Sequence, residues 1–447
     1  MQQNRLEQEK ITTLFLKYTI PSVAGMVFLG INTIIDGFFV GHYIGVEGLA
    51  AVTLAMPFLS ISIAVGVVIG IGAQSLIGRQ LGEGNSRAVA DTFKTAVCLM
   101  LGVMGLLAAG AVGFTKPIAA LLGASESLLM PAATYIHYTG WFLPCLGVMF
   151  VLDYVLKVMG KPLYSMQVLT TAVLSHMTCN YLFIVQAGWG IRGAALAMGV
   201  GYSVALLLAL LPFVLGKTAV NFRQGRVSKA LAYQILATGS PEGLTEIGTG
   251  VTTFLFNLTL LRYVGEMGIA AFTAISYLSF MANNILLGLA DGVGAIFSYN
   301  YGRGSMERVK QALKLAALAA FLIGVGMFAV ISTFAGDIIV LFLDAKHEQV
   351  FSFAVYGAEL YAFAFLVNGL NIVASGYFTA ICQPRNAIVI AVSKGMAGIG
   401  VCLLLLPLIW GTAGIWLTVP VAELGTLFLS ALFIYNHGKE HLQRDLR

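Results

Sequence analysis

The sequence predicts an all-α integral membrane protein: twelve transmembrane helices in two six-helix bundles related by a parallel, pseudo-two-fold repeat. Three observations predict it. Of the 447 residues, 58% are hydrophobic and 10% are charged, with a mean hydropathy of +0.88, whereas a soluble domain carries about 25% charged residues. Polar punctuation divides the chain into twelve apolar stretches of spanning length. The first half of the chain recurs in the second at a fixed offset.

The apolar stretches run near 14–40, 49–78, 91–113, 131–156, 163–185 and 192–215, then near 234–262, 269–298, 310–333, 352–380, 386–408 and 412–436. A helix needs about 20 apolar residues to cross the hydrocarbon core. None shows the alternating segments of about 10 residues that a membrane barrel requires. The polar start MQQNRLEQEKITT lacks the regions of a cleavable signal, so the first segment is expected to remain as an anchor. The five cysteines, Cys98, Cys145, Cys179, Cys382 and Cys402, lie in or beside apolar runs without metal-site or disulfide spacing, and read as small hydrophobes.

Twelve crossings put both ends on one side, and Lys and Arg choose it. Arg5, Lys10 and Lys17 precede segment 1; Arg79, Arg87 and Lys94 follow segment 2; Lys157 and Lys161 follow segment 4. Lys217, Arg223, Arg226 and Lys229 follow segment 6, Arg303, Arg308, Lys310 and Lys314 follow segment 8, and Arg385 follows segment 10. Lys439, Arg444 and Arg447 close the chain, while the opposite loops hold Lys116, Arg192, Arg262 and Lys346. The positive-inside rule then places both termini in the cytoplasm. The net charge of +5 marks topology and contact with anionic lipid, and implies no nucleic-acid partner.

A shift of 220 residues aligns Pro21 with Pro241, Tyr43 with Tyr263, Gly45 with Gly265, Gly48 with Gly268, Thr53 with Thr273, Gly72 with Gly292, Gly82 with Gly302 and Gly84 with Gly304. With one inserted residue, WGIRGAAL at 189–196 matches WGTAGIWL at 410–417. Six helices per copy is an even number, so both copies enter from the same side. The expected organisation is a lobe of residues 1–215, a basic cytoplasmic linker 216–232 and a second lobe 233–447, with a central cleft near the bilayer midplane.

Ionisable groups inside apolar runs carry the chemistry, because a charge at the bilayer centre costs about 2.5–3.5 kcal/mol and needs a cavity or a partner. Asp36 stands in INTIIDGFFVG, with Asn32 one turn earlier on the same face. A carboxyl alternating between dry and wetted surroundings can take up a proton on one side and release it on the other; the plainer reading is a hydrogen bond to neighbouring helices. Glu242 and Glu246 form an i, i+4 pair after Pro241 in segment 7, and two carboxylates so close resist ionising together. Glu246 is the deeper cation- or proton-binding candidate, and Glu242 is placed to reach water. Asp153 and Lys157 are spaced for a local ion pair, and Asp291 for holding the turn after segment 8. Glu359, Lys394 and Glu423 are unassigned. Asn257, Tyr277, Asn283, Asn284, Asn368 and Asn371 are candidates to face the cleft, with Phe254, Phe256, Met281 and Tyr299 as aromatic or pliable walls for cations; taken singly, each is better explained by packing.

GWGIRG at 188–193 fits a dinucleotide pattern by letter only, since no strand precedes it and no acidic residue follows about 20 positions on. No Walker A, HExxH or GxSxG motif occurs, so neither an ATP-driven pump nor a hydrolase is indicated.

IPSVAGMVFLGINTIIDGFFVGHYIGVEGLAAVTLAMPF resembles the first helix and following turn of the multidrug and toxic compound extrusion (MATE, multi antimicrobial extrusion) transporters, and GIGAQSLIGRQLGEGN, GAALA, GSPEGLTE and DGVGAIFSYNYGRG continue the likeness in order. The similarity covers essentially the whole chain, closest to bacterial members outside the best-known sodium-driven branch. It implies a secondary-active antiporter, not an enzyme, that exports small organic cations by alternating access as a monomer, without a cofactor, on inward flow of protons or sodium ions. Asp36 matches the family's aspartate of helix 1. Where many members carry an Asn and an Asp four residues apart on helix 5, this chain has His176 and Asn180, and Met198 follows GAALA where members often have Thr. The missing second carboxylate favours protons over sodium as the coupling ion. His176 is either a proton relay, as its titration near neutrality permits, or a satisfied core residue. A lipid-linked precursor flippase of similar two-lobe build is the alternative, and it would want a cleft rich in Lys and Arg.

Overall fold

The computed structural model describes residues 3–343, 346 and 348–445; Arg447, counted above among the closing basic residues, lies outside them. Among the described residues there is no strand, and every expected apolar segment is helical. The spans are α1 Ile11–Ile44, α2 Val46–Gly82, α3 Ser86–Gly113, α4 Glu126–Gly140 with Leu143–Val158, α5 Pro162–Gln186 and α6 Gly190–Val214. The second six are α7 Lys229–Tyr263, α8 Glu266–Gly302, α9 Met306–Ile339, α10 Glu348–Ala362 with Phe365–Ala380, α11 Pro384–Trp410 and α12 Thr412–Lys439. Ten are long apolar helices, and α4 and α10 are pairs bent by 49° and 50°. These two hold the same place in their halves, so the bend is duplicated with the sequence. In α4, Pro144 sits in the first turn after the break, where its missing N–H costs no helical bond.

The repeat is written into the backbone. Gly45 and Gly265 turn the chain from α1 to α2 and from α7 to α8 with φ of 96° and 81°, and Gly84 and Gly304 do so after α2 and α8 with φ of 74° and 76°. Side chains avoid these angles, so glycine is retained at both copies of each turn.

Glycines also fix how the halves meet. α2 and α8 cross where a Cβ on Gly82 would strike the Tyr299 carbonyl and one on Gly302 would strike the Arg79 carbonyl. Gly72 and Gly239 bring α2 against α7; Gly292, the repeat partner of Gly72, with Gly288 brings α8 against α1 at Tyr18, Ser22 and Val23. Lipid tails give helices no hydrophobic reason to associate, so close backbone packing through small residues holds such seams. All these contacts lie in the half of the spans nearer the termini. There one apolar core, including Phe15, Ile77, Leu152, Ile296 and Phe378, joins both halves. Toward the far side it divides into a first-half core around Val40, Tyr135 and Ala195 and a second-half core around Phe256, Ile331 and Trp416. The conformation is closed toward the termini and parted away from them.

Polar contacts add to the closure. Lys157 of α4 reaches Asp291 of α8 at 2.6 Å. The short helix Gln3–Gln8, ahead of α1, is held to the second half by Arg308, whose guanidinium donates to the carbonyls of Leu6 and Glu9 at 3.0 and 2.9 Å and to Asn300 Oδ1 at 2.8 Å. The segment between α6 and α7 lies along α3, with the Arg226 N–H donating to Asp91 Oδ1 at 2.6 Å.

Candidate ion and substrate sites

α1 and α5 pack side by side and bring together all four residues expected in the first half. Asn180 Nδ2 donates to Asp36 Oδ1 at 2.8 Å and lies 3.2 Å from His176 Nε2. His176 Nδ1 is 3.0 Å from Asn32 Oδ1, and His176 Nε2 is 3.3 Å from Asp36 Oδ1. Asp36, His176 and Asn180 are buried, at 6%, 4% and 1% exposure. Both helices widen into π turns directly past this cluster, at Val40–Ile44 and Tyr181–Gln186. Such turns loosen the regular ladder and recur at functional sites.

The hydrogen bonds restrict the protons. With Asn32 Oδ1 accepting, Nδ1 carries the imidazole N–H. Nε2 is then an acceptor beside a carboxylate oxygen, and the two N–H groups of the Asn180 amide can serve both; a proton taken up here would lie between Nε2 and Oδ1. Held on either atom, that proton converts the contact into a hydrogen bond. Asn180 Oδ1 is buried without a partner. Sequence reasoning missed Tyr135 and Tyr202, whose phenols lie within electrostatic reach of Asp36; the Tyr135 hydroxyl contacts Met198 Sδ at 3.8 Å. An aromatic in an apolar helix carries no signal of its own, so only the fold could reveal them.

In the second half the expected residues divide. Glu242 and Glu246 line a cavity of about 100 Å³ between the halves, together with Gln74, Tyr154 and Asp291. Asn368 donates to Asn283 Oδ1 at 2.7 Å and accepts from Lys394 at 3.1 Å. Asn371 is fully buried, donating to Glu423 Oε2 at 2.7 Å and accepting from Ser430. Asn284 bonds its own helix at the Phe280 carbonyl, and Asn257 Oδ1 is buried without a partner. Tyr277 stacks on Phe342 at 5.6 Å.

Three expectations are corrected. Phe256 is fully buried against Phe272 and Tyr299 is 4% exposed in the shared core, so both fill core where cleft walls were expected. Asp291 does not hold the turn after α8: its Oδ2 pairs with Lys157, which also binds Asp153 at 2.8 Å. A buried ammonium between two carboxylates outcompetes a turn contact that water could satisfy. The local Asp153–Lys157 pair is present, with Ser165 donating to Asp153 Oδ1 at 2.5 Å.

A duplicated helical bundle with polar clusters held within its spans defines a membrane transporter rather than an enzyme. The comparisons agree. The MatE family profile matches residues 21–182 and 241–404, one stretch in each half, and the chain belongs to this family. It is 25% identical to the multidrug export protein MepA of Staphylococcus haemolyticus, over 96% of this chain and 94% of the relative, and 24% identical to MepA of Staphylococcus aureus over the same shares. Among solved structures, a MATE in the bent conformation superposes with a TM-score of 0.92 over 100% of both chains at 19% identity. A MATE-family transporter in an outward-facing conformation superposes with a TM-score of 0.90 over 96% of both chains at 20% identity. These structures share the fold.

Proposed function

We propose that the protein is a secondary-active antiporter that exports organic cations and drugs from the cytoplasm in exchange for protons, by alternating access. The observation that carries the reading is the Asp36–His176–Asn180–Asn32 cluster, buried in α1 and α5 beside two π turns. Hard metal cations favour cages of oxygen; here an imidazole nitrogen occupies the place beside the carboxylate, which suits a proton better than a sodium ion. The relatives named as multidrug export proteins support the substrate class, and Glu242 and Glu246 supply anionic groups for a cation in the cavity between the halves.

In this reading, residues 1–215 and 233–447 act as lobes about the 216–232 linker, in a bacterial cytoplasmic membrane. The weighting of Lys and Arg supports cytoplasmic termini, so the conformation described is open outward. A proton arriving from outside neutralises the Asp36–His176 pair, α1 repacks, and the cation leaves outward. One charge moving through 100 mV supplies about 2.3 kcal/mol, a concentration ratio of roughly 50 for a neutral substrate. A monovalent cation exchanged for one proton is electroneutral and draws on the pH gradient alone. A lipid-linked precursor flippase would need cations lining the cleft, and the cavity is lined by carboxylates.

The test is ethidium movement in proteoliposomes under an imposed pH gradient or an imposed sodium gradient, for wild type and Asp36→Asn. Transport driven by pH and lost in Asp36→Asn is expected. Sodium-driven transport that survives Asp36→Asn would overturn the coupling assignment, and no cation movement under either gradient would overturn the exporter reading.

A further inference from the structure

Three polar atoms of residues lining the cavity between the halves are buried without a hydrogen-bond partner among the described residues: Gln74 Nε2 of α2, Asp291 Oδ1 of α8 and Thr379 Oγ1 of α10. Gln74 and Thr379 are 3% and 1% exposed, and the Asp291 side chain 5%. Buried polar groups are nearly always satisfied, so three unpaired ones around a single cavity point to an occupant. Gln74 lies within electrostatic reach of Asp291, and Thr379 of Glu242, yet these atoms do not close to hydrogen bonds. Asp291 Oδ2 is held by Lys157 at 2.6 Å, which leaves Oδ1 as its open oxygen.

Charge and size narrow the occupant. Lys157 shares its one positive charge between Asp153 and Asp291. Glu423 of α12, a buried acid outside the cavity, has Lys394 at 3.8 Å, from a third π turn at Ser393–Ala397 in α11. Glu242 stands in no ion pair among the described residues. The cavity is therefore left with more negative charge than positive, which favours a cation. Its volume is about 100 Å³, whereas drug-sized ligands fill pockets of about 300–1,000 Å³. A monatomic ion with a few waters fits, and an organic cation needs the halves to part. Among the described residues no three His, Cys, Asp or Glu converge as on a metal centre, so the donors suit a singly charged ion.

We propose that this cavity binds one alkali cation, sodium or potassium, through Asp291 Oδ1, Thr379 Oγ1, the Glu242 carboxylate and the Gln74 amide. Hard cations take oxygen ligands, and the Gln74 amide can turn its oxygen to the same point. Gln74 belongs to the first half and the other three to the second, so the ion ties the halves together in the conformation described. The site is separate from the Asp36 cluster of α1 and α5, where an imidazole nitrogen stands beside the carboxylate. It concerns a bound ion rather than the driving one, and it stands whether or not organic cations are exported.

The experiment is binding of radiolabelled sodium, and of radiolabelled rubidium in place of potassium, to the purified full-length protein at fixed pH. Wild type, Thr379→Val, Gln74→Leu and Asp36→Asn are compared, with unlabelled sodium, potassium and choline as competitors. Saturable binding of one or both labels is expected, displaced by the alkali ions and not by choline; the tighter label identifies the ion. Thr379→Val conserves shape and removes a hydroxyl that has no partner, so packing alone predicts unchanged binding. The ion site predicts binding weakened about tenfold, with Gln74→Leu as the second variant if Thr379→Val does not fold. Asp36→Asn is expected to bind as wild type does. The bound ion is also expected to raise the melting temperature of wild type by about 2–4 °C, and that of Thr379→Val by less. Unchanged binding in both cavity variants overturns the proposal, as does binding lost in Asp36→Asn alone, which would move the ion to the first half. No saturable binding of either label, or equal displacement by choline, overturns it too and leaves water as the occupant. Ethidium transport is read separately, so none of these results decides the exporter reading.

Discussion

Asp36 Oδ1 and His176 Nε2 face each other at 3.3 Å, while the other nitrogen of the same ring is held by Asn32. On the proposed reading this pair is the coupling site, the protein is open outward, and cation binding displaces a proton from the pair. Adding ethidium to wild type in weakly buffered detergent solution is expected to release up to about one proton per chain, read with a pH indicator. Asp36→Asn is expected to release none. Equal release by the two would remove Asp36 from the coupling.

His176 is separable from Asp36. His176→Gln keeps a hydrogen-bonding group beside Asn32 but cannot bind a second proton. Transport driven by pH is expected to persist at a level reduced about 100-fold, the low end of the range for a lost proton-transfer partner, with a changed pH profile. An unchanged profile would make His176 a packing residue.

Lys157 neutralises Asp153 and Asp291 across the two halves at 2.8 and 2.6 Å. Lys157→Met leaves two buried carboxylates without their cation, a loss of about 3–5 kcal/mol. A large fall in thermal stability is expected, with partial recovery in Lys157→Met/Asp291→Asn. Additive losses in that cycle would show that the two residues do not interact.

Gly82 and Gly302 occupy equivalent places on either side of the seam, each blocked by a backbone carbonyl of the opposite half. Gly82→Ala and Gly302→Ala are expected to lower the melting temperature by similar amounts. Gly102→Ala and Gly326→Ala, at helical positions with open space around the added carbon, are expected to be neutral or to stabilise by up to about 1 kcal/mol. A loss confined to one of the seam glycines would break the equivalence.

Much of this was legible in the sequence because bilayers impose one-dimensional rules. Spanning segments are apolar wherever they sit in the bundle, so all twelve can be read locally. The duplication shows because the turn glycines cannot change freely. Asp36 shows because a carboxylate in an apolar run is expensive, and the Asp153–Lys157 pair shows because four residues make one helical turn. What stayed hidden depends on pairs far apart in the chain. Nothing local in Asp291 points to Lys157, and nothing local in Lys394 points to Glu423. The π turns are likewise invisible, since they arise from packing between helices rather than from a residue signature.

The seam is built from twinned glycines, yet the twins do not extend to the chemistry. The offset that carries Gly82 to Gly302 carries Asp36 to Phe256 and Asn32 to Thr252; Phe256 is fully buried and stacked on Phe272, and Thr252 is tied to the π turn of α11. The two halves thus keep matching turn and seam glycines and differ in their buried polar groups. The first holds an imidazole–carboxylate pair, while the second turned the corresponding space into a dry wall and placed its own ionic pair elsewhere, on α11 and α12. A frame inherited in duplicate and specialised on one side has an inherent direction. Exchanging the two halves in the gene would preserve the architecture and relocate the imidazole–carboxylate pair.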